Sequence, residues 1–244
     1  MAKDYFSGHS KLYATFRPTY PDALYEFIFN HVKQFDVAWD CATGNGQVAQ
    51  VLAKHFKQVF ASDISSEQLK HAHQANNIVY RAEPAEHTSF TGNQFNLITV
   101  AQAIHWFNRA NFFQEVARIA KPDAILAVWG YANCMVNPEI DKFFFHFYQN
   151  TVGPYWDKAR VLIEEHYRTI VFPFEEIPAP PFQINVQWNL DQFAGYITTW
   201  SATQKYIQAT GVDPVPEFIG QVKPYWRLTM PVTFPIFLRL MRVK

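Results

Sequence analysis

Cysteine is scarce in this chain, and that scarcity narrows the classes of protein to which it can belong. The 244 residues contain two cysteines, Cys41 and Cys134. Two are too few for the disulfide framework of a small secreted domain, and neither lies in the Cys/His spacing of a zinc site. We expect a reducing, cytoplasmic setting, no disulfide between the two and no bound metal.

The chain also lacks net charge and long apolar runs. Its 21 basic and 21 acidic residues balance to a formal net charge of zero, which gives no electrostatic basis for binding nucleic acid or an anionic membrane. The apolar stretches are far shorter than the roughly 20 residues that cross a bilayer, and residues 1–10 contain no apolar signal region. We therefore expect no nucleic-acid or membrane partner, and a monomer or homodimer.

The first 131 residues alternate short apolar runs with helical patterns. Strands are predicted at 36–41, 58–63, 77–82, 95–101 and 124–131, with amphipathic helices before and between them. Short connections between alternating strands and helices predict a parallel α/β sheet that is covered by helices on both faces. Such sheets bind ligands at the carboxyl ends of their strands.

The pattern changes after residue 131. Helices are predicted at 138–149 and 157–167, a proline-rich connector at 173–181, a strand at 183–188, further helices between 191 and 226, and a last strand at 232–243. We interpret 1–131 as a Rossmann-like ligand-binding core, 132–181 as a small helical lid insertion, and 182–244 as the last strands of the core with further lid helices.

The turn after the first predicted strand is the strongest functional signal. The strand ends at Asp40, and small residues, including Ala42, Gly44 and Gly46, lead at once into a helix. The third glycine of a dinucleotide site and the Lys-Ser/Thr of a phosphate loop are both missing. Asp40 would repel a pyrophosphate but suits a cationic, amine-bearing ligand. The alternative is an ordinary strand-to-helix turn.

A second acid, Asp63, ends the next predicted strand. A carboxylate at that position can accept hydrogen bonds from both hydroxyls of a ribose, and the following Ile64 can cover an adenine. The alternative for Asp63 is an acid that stabilises the N-terminus of the following helix through the helix dipole.

With these residues in place, the chain resembles the class I S-adenosylmethionine-dependent methyltransferases. Residues 40–46 are similar to that family's DxGxGxG turn, with Ala42 at the first glycine, and Asp63 is similar to its acidic ribose ligand. Residues 95–98 resemble the family's fourth strand, with Asn96 in place of the usual Asp. Because this position precedes the pocket, the departure does not affect the predicted cofactor contacts.

Two further segments resemble the trans-aconitate methyltransferase-like branch of the family. They are residues 13–21, which contain Arg-Pro-Thr-Tyr-Pro, and residues 103–107, which contain His-Trp-Phe. The likeness covers almost the whole chain and is clearest over residues 5–131. It implies a Rossmann-like fold, S-adenosylmethionine as the cofactor and a small-molecule methyl acceptor, with a carboxylate among the candidate acceptor groups.

The expected cofactor contacts lie after the strands. They are Asp40, Ala42, Gly44, Gly46, Asp63, Ile64, Ala85, Glu86, Ala101 and Gln102, together with Arg17, which would pair with the methionine carboxylate of the cofactor. The alternatives are a surface arginine at 17 and a solvated loop at 85–86.

The expected acceptor contacts are Tyr13, Tyr20, His105 and Trp106. Three roles stay open for His105: a general base with a pKa near 6.5, a group that orients the acceptor, or a histidine that only supports its loop. Two rival functions also stay open, a non-catalytic protein that binds S-adenosylmethionine or S-adenosylhomocysteine, and a nucleotide-dependent oxidoreductase.

Overall fold

A computed structural model of the protein describes residues 16–244. Strands and helices alternate through the first half, as their hydrophobic periodicity predicts. In chain order the elements are α1 (Asp22–Phe29), β1 (Val37–Cys41), α2 (Gln47–Leu52), β2 (Gln58–Asp63), α3 (Ser66–Lys70), β3 (Ile78–Ala82), β4 (Phe95–Ala101), a 3-10 turn (Ile104–Trp106), α4 (Arg109–Ile119) and β5 (Ala120–Tyr131). Ser65 and Asn108 cap α3 and α4 with their side chains, as expected.

The second half adds helices and three antiparallel strands. They are α5 (Pro138–His146), a π turn (Phe147–Thr151), 3-10 turns (Gly153–Tyr155 and Lys158–Arg160), α6 (Val161–Glu164), β6 (Glu175–Ile177), β7 (Phe182–Trp188), α7 (Leu190–Thr198), α8 (Ser201–Thr210), α9 (Val215–Val222), a 3-10 turn (Lys223–Tyr225) and β8 (Met230–Arg242).

The described strands form one sheet in the order β3-β2-β1-β4-β5-β8-β6, and β7 also pairs with β8. Strands β1 to β5 are parallel, and β8 runs antiparallel to β5, β6 and β7. This arrangement confirms the predicted α/β, Rossmann-like fold. The strand order reverses between β1 and β4, and in such sheets the ligand crevice lies beyond the carboxyl ends of those strands.

Two predictions for the second half were wrong in detail. The proline-rich segment predicted as a connector contains β6, which pairs with Leu240–Arg242 of β8 because β7 covers only the Met230–Ile236 part of that long strand. The helix predicted over 157–167 is broken into a 3-10 turn and the short α6, and it ends in two left-handed residues, His166 and Tyr167.

Two hydrophobic cores lie on the opposite faces of the sheet. One contains α1, α2 and most of the helices after Tyr131, and the other contains α4 and Tyr167. Cys41 belongs to one core and Cys134 to the other, and both are free, which confirms the absence of a disulfide between them. Within residues 16–244, no helix is both long and apolar enough to cross a membrane.

Candidate active site

The glycine turn after β1 is built from left-handed residues. Ala42, Gly44 and Gly46 have φ of 54°, 55° and 82°. A Cβ added to Gly44 would meet no atom within 4 Å among the described residues, whereas one added to Gly46 would lie 2.5 Å from the Tyr80 hydroxyl. Gly44 therefore leaves open space in which a ligand can approach the backbone, and Gly46 is required by packing inside the protein.

Asp40 stabilises this turn through hydrogen bonds from three neighbouring groups. Its buried carboxylate accepts hydrogen bonds from the Thr43 hydroxyl, from the Thr99 hydroxyl at 2.9 Å and from the Ala49 amide at 3.0 Å, and so joins β1, β4 and α2. Burial raises the pKa of Asp40 to about 6, against the lowering effect of these hydrogen bonds. Asp40 thus holds the shape of the turn, while its direct contact with the cofactor stays a prediction.

Asp63 lies at the end of β2 and faces the same turn. Its carboxylate oxygens accept hydrogen bonds from the amides of Gly44 and Ser65, each at 2.9 Å. A carboxylate oxygen can accept more than one hydrogen bond, and these two bonds orient the group at the turn. The adjacent Ile64 is 44% exposed, an apolar side chain at the edge where an adenine is expected.

The remaining expected cofactor residues follow β3 and β4. Ala85 is buried, and Glu86 accepts a hydrogen bond at 2.8 Å from the amide of Asn108 at the start of α4. Ala101 ends β4, and Gln102 is left-handed, with φ of 56°, and donates to the Tyr131 carbonyl at 3.3 Å. The fold therefore brings residues from both loops to the carboxyl edge of the sheet.

An aromatic cavity opens at this edge, beyond β4 and β5. It contains about 630 Å³ of empty space, part of which is open solvent. Aromatic and charged side chains form most of its wall: Arg17, Gln102, His105, Trp106, Tyr131, Ala132, Trp156, Asp157, Arg160, Ile163, Tyr196, Trp200 and Ser201. We call it the aromatic cavity. Residues expected to contact cofactor and residues expected to contact acceptor meet in it.

Two arginines give the aromatic cavity a positive character. Arg160 donates to the Tyr148 hydroxyl and the Asn133 side chain, each at 2.9 Å, and its guanidinium lies 4.1 Å from the centroid of the Trp156 ring. Arg17 donates to the Tyr131 hydroxyl at 2.8 Å.

The aromatic cavity has one acid in its described wall, and that acid has a basic partner. Asp157 forms an ion pair of 3.6 Å with Lys205, which offsets part of its negative charge. The wall of the aromatic cavity therefore contains arginine side chains beside an acid that is paired with a lysine.

His105 is buried in the wall of the aromatic cavity. Its Nδ1 lies 2.9 Å from the Tyr167 hydroxyl. Burial lowers its pKa to about 3, the nearby Arg160 adds to the lowering, and Asp157 opposes it. This differs from the pKa near 6.5 that the base hypothesis assumes, because a local sequence pattern does not encode burial. His105 is neutral at physiological pH.

The two predicted tyrosines do not lie in the described wall. Tyr13 falls outside the described residues. Tyr20 packs edge-on against Trp129, with ring centroids 5.5 Å apart, and is absent from the described wall.

Sequence reasoning missed most of the aromatic cavity. The missed wall residues, together with the partner of His105, are Tyr131, Ala132, Trp156, Asp157, Arg160, Ile163, Tyr196, Trp200, Ser201 and Tyr167. The one available signal was the high aromatic content, 17%, which required a core, pocket or interface to receive it.

Comparison with known proteins agrees with this geometry. A family profile described as a methyltransferase domain matches residues 39–128. A protein of Dictyostelium discoideum that is named as a methyltransferase is 32% identical over 247 residues, which cover 97% of this chain and 94% of that protein. The chain belongs to the S-adenosylmethionine-dependent methyltransferases. A solved structure from Anaeromyxobacter dehalogenans, named as a type II methyltransferase, is 35% identical, covers 93% of this chain and 98% of its own, and superposes with a TM-score of 0.86.

Membership of this methyltransferase family separates the three functions that the sequence left open. A Saccharomyces cerevisiae protein named as an S-adenosylmethionine-dependent methyltransferase is 30% identical over 150 residues, 58% of this chain and 49% of its own length. The protein is thus an enzyme that uses S-adenosylmethionine, rather than an oxidoreductase or a non-catalytic binding protein. The open space at Gly44 and the oriented carboxylate of Asp63 fit that cofactor.

Proposed function

We propose that this methyltransferase methylates a carboxylate oxygen of a small organic acid that binds in the aromatic cavity. The observation that carries the proposal is the guanidinium of Arg160, which lies on the face of Trp156 inside a cavity at the carboxyl edge of the sheet. The aromatic walls favour an acid with an apolar or planar body.

Arginine suits a carboxylate better than any other acceptor group of a small metabolite except phosphate. Its planar fork of N–H groups matches the two oxygens of a carboxylate, and the match is strong because both partners are charged. The bonds from Arg160 to Tyr148 and Asn133 leave Nη1 without a hydrogen bond to a described residue. These bonds also fix the guanidinium in place, so little side-chain entropy is lost when an anion binds.

Proton balance supports the same class of acceptor. A carboxylate is ionised at neutral pH and needs no base before it attacks, whereas a hydroxyl acceptor needs a group to remove its proton. His105 is a poor base because its pKa is lowered to about 3 by burial and by Arg160. S-adenosylmethionine, when bound, supplies an electrophilic methyl group on a sulfonium. The chain's own contribution is alignment and exclusion of water.

For the cofactor side we propose the contacts that the family resemblance implies. Asp63 would accept from the ribose, Ile64 would cover the adenine beside Ala85–Glu86, and Arg17 would pair with the methionine carboxylate. Arg17 and Gln102 both line the aromatic cavity, which supports this last contact. Membership of the trans-aconitate methyltransferase-like branch is part of the proposal and is supported by the Arg-Pro-Thr-Tyr-Pro and His-Trp-Phe segments.

The test is transfer of a labelled methyl group from S-adenosylmethionine to a panel of small organic acids. We expect a product that releases methanol in alkali, since a methyl ester is hydrolysed there and a methyl ether or N-methyl amine is not. Arg160→Gln should raise the KM for the acid about 10- to 100-fold, because one charge-assisted hydrogen-bonded contact is lost. It should leave the affinity for the cofactor unchanged.

Arg168→Gln is the matched control, because Arg168 is exposed on the same stretch of chain and lies outside the described wall. It should leave the KM for the acid unchanged. An alkali-stable product would overturn the carboxylate assignment. Equal effects of the two arginine substitutions would overturn the role of Arg160.

A further inference from the structure

The chain adopts an unfavourable backbone conformation after α6. His166 and Tyr167 have φ of 54° and 55°, two consecutive non-glycine residues in the left-handed region. Side chains there crowd the backbone, and such residues persist only where surrounding contacts enforce them.

Here the surrounding contacts are specific. The Tyr167 amide donates to the Leu162 carbonyl at 2.8 Å, its carbonyl accepts from Arg239 at 2.5 Å, and its ring packs edge-on against Phe237 with centroids 4.9 Å apart.

This turn places the buried hydroxyl of Tyr167 within hydrogen-bonding distance of His105. The Tyr167 side chain is fully buried, and within residues 16–244 its hydroxyl has a single hydrogen-bond partner, Nδ1 of His105 at 2.9 Å. A buried hydroxyl that fails to donate its hydrogen is costly, and Nδ1 is the acceptor within reach. Burial also raises the pKa of Tyr167, so the hydroxyl keeps its hydrogen. Nδ1 must then be the unprotonated nitrogen of the neutral ring.

The ring hydrogen of His105 is therefore on Nε2. No hydrogen bond joins Nε2 to any described residue, and His105 is part of the wall of the aromatic cavity. An Nε2 that carries hydrogen has no free lone pair, and Nδ1 is occupied by Tyr167. Neither nitrogen is available to take a proton from an acceptor.

We infer that Tyr167 is a positioning residue that holds His105 in the Nε2–H tautomer, so that His105 donates a hydrogen bond to the acceptor. The inference about the acceptor rests on the proposed function, since an anionic oxygen is the natural partner of this donor beside Arg160. One oxygen of the carboxylate would accept from His105, and the other, which does not accept from His105, would attack the methyl group. The tautomer itself follows from the folded chain alone.

The tautomer can be measured without any acceptor or cofactor. In full-length protein labelled with ¹⁵N-histidine, two-bond ¹H–¹⁵N correlation spectra separate protonated from unprotonated ring nitrogens, and His105→Asn identifies the His105 signals among those of nine histidines. We expect an unprotonated Nδ1 and a protonated Nε2 that do not titrate between pH 5 and pH 8. The groups around the ring that bear on this titration are Tyr167, Arg160 and Asp157.

Tyr167→Phe removes only the hydroxyl and should move both nitrogen shifts toward the average of two exchanging tautomers. Tyr25→Phe is the control, since Tyr25 is also buried but packs in the other core, and it should leave the His105 signals unchanged. A protonated Nδ1 in the wild type, or unchanged His105 shifts in Tyr167→Phe, would overturn the inference. If Tyr167→Phe does not fold, the wild-type spectrum decides.

Kinetics with an organic acid that the enzyme methylates then tests whether His105 donates a hydrogen bond to the acceptor. Tyr167→Phe should raise the KM for the acid about tenfold, with a smaller change in kcat and no new pH-dependent limb between pH 6 and pH 8. A loss confined to kcat, with a new limb, would contradict the donor role. An alkali-stable product would refute the proposed acceptor class and leave the tautomer intact, so the two failures are distinguishable.

Discussion

We propose two roles for the Asp63 carboxylate. It accepts hydrogen bonds from the amides of Gly44 and Ser65 and so shapes the turn, and in the proposed function it also accepts from the ribose of the cofactor. We therefore expect a substitution at Asp63 to act on cofactor binding both directly and through the turn.

We predict that Asp63→Ala weakens S-adenosylmethionine binding by about 2–4 kcal/mol, roughly 30- to 1,000-fold in Kd, because charge-assisted hydrogen bonds are lost. Titration calorimetry measures the change. Asp36→Ala is the control, since Asp36 lies just before β1 at the opposite edge of the sheet and pairs with Lys57. A Kd for Asp63→Ala within about threefold of the control would contradict the ribose assignment.

The burial of His105 in the cavity wall makes the stability of the fold depend on pH. The unfolded chain protonates this histidine below pH 6.5, whereas the native state resists protonation down to about pH 3 because the ring is buried. Between these values the unfolded state binds more protons, so the free energy of unfolding falls as pH falls. Asp40, with a pKa raised to about 6, acts in the opposite direction between about pH 4 and pH 6.

A comparison with His105→Asn isolates the histidine, because Asp40 is present in both proteins and cancels in the difference. From pH 7 to pH 5, the wild type should lose about 2 kcal/mol of stability relative to the variant. Thermal unfolding at both pH values measures it. Parallel pH dependence of the two Tm values would mean that His105 has the same pKa in the native and unfolded states.

The turn between β1 and α2 contains one glycine that faces open space and one glycine that is required by packing. Both Gly44 and Gly46 are left-handed, but only at Gly46 would a side chain meet another residue, the hydroxyl of Tyr80. Asp40 holds the turn to β4 through Thr99, so a change within the turn is not absorbed by movement of the whole loop.

We predict different consequences for the two alanine substitutions. Gly44→Ala should cost about 1–2 kcal/mol of stability through its left-handed φ and weaken cofactor binding by at least about tenfold, because the methyl group enters the open space. Gly46→Ala should cost more stability, since it adds a collision with Tyr80 to the same backbone cost. Thermal unfolding and calorimetry on both variants test this. Normal cofactor affinity in folded Gly44→Ala would make that glycine purely structural.

The helices after Tyr131 do not form a separate core. One continuous apolar cluster runs from Leu24 in α1 through the sheet face to Trp200 and Phe218 in the helical part. Trp200 is almost fully buried there and stacks edge-on against Phe144 and Tyr196. The sheet and its helical covering should therefore unfold together.

We predict one cooperative thermal transition, with the same midpoint by far-ultraviolet circular dichroism and by tryptophan fluorescence. Trp200→Ala should lower both midpoints together, by an amount that corresponds to about 3–5 kcal/mol for a large aromatic side chain removed from a core. Two separated transitions, or a shift in one signal alone, would show that the helical part unfolds independently.

The parallel half of the fold could be predicted from the sequence because its signals are local. Each strand from β1 to β5 is a short apolar run with a helix or turn beside it, and the periodicity of neighbouring residues is enough to find it. The turn at residues 40–46 is equally local, since its small residues and its acid are contiguous. The expectation that Asn96 lies outside the pocket was equally local. Asn96 lies at the start of β4, away from the ligand edge, and its side chain accepts a hydrogen bond from Lys121.

The aromatic cavity depends on contacts between distant parts of the chain. Arg17, Gln102, Arg160 and Trp200 come from four separate segments, and no spacing rule relates them. The short strand β6 forms only because β8 offers an unpaired length of edge. The pKa of His105 and its pairing with Tyr167 follow from burial and from a left-handed turn more than sixty residues away. Local periodicity encodes which residues form strands and helices, whereas burial, pKa and the partners of a buried hydroxyl exist only once those elements have packed.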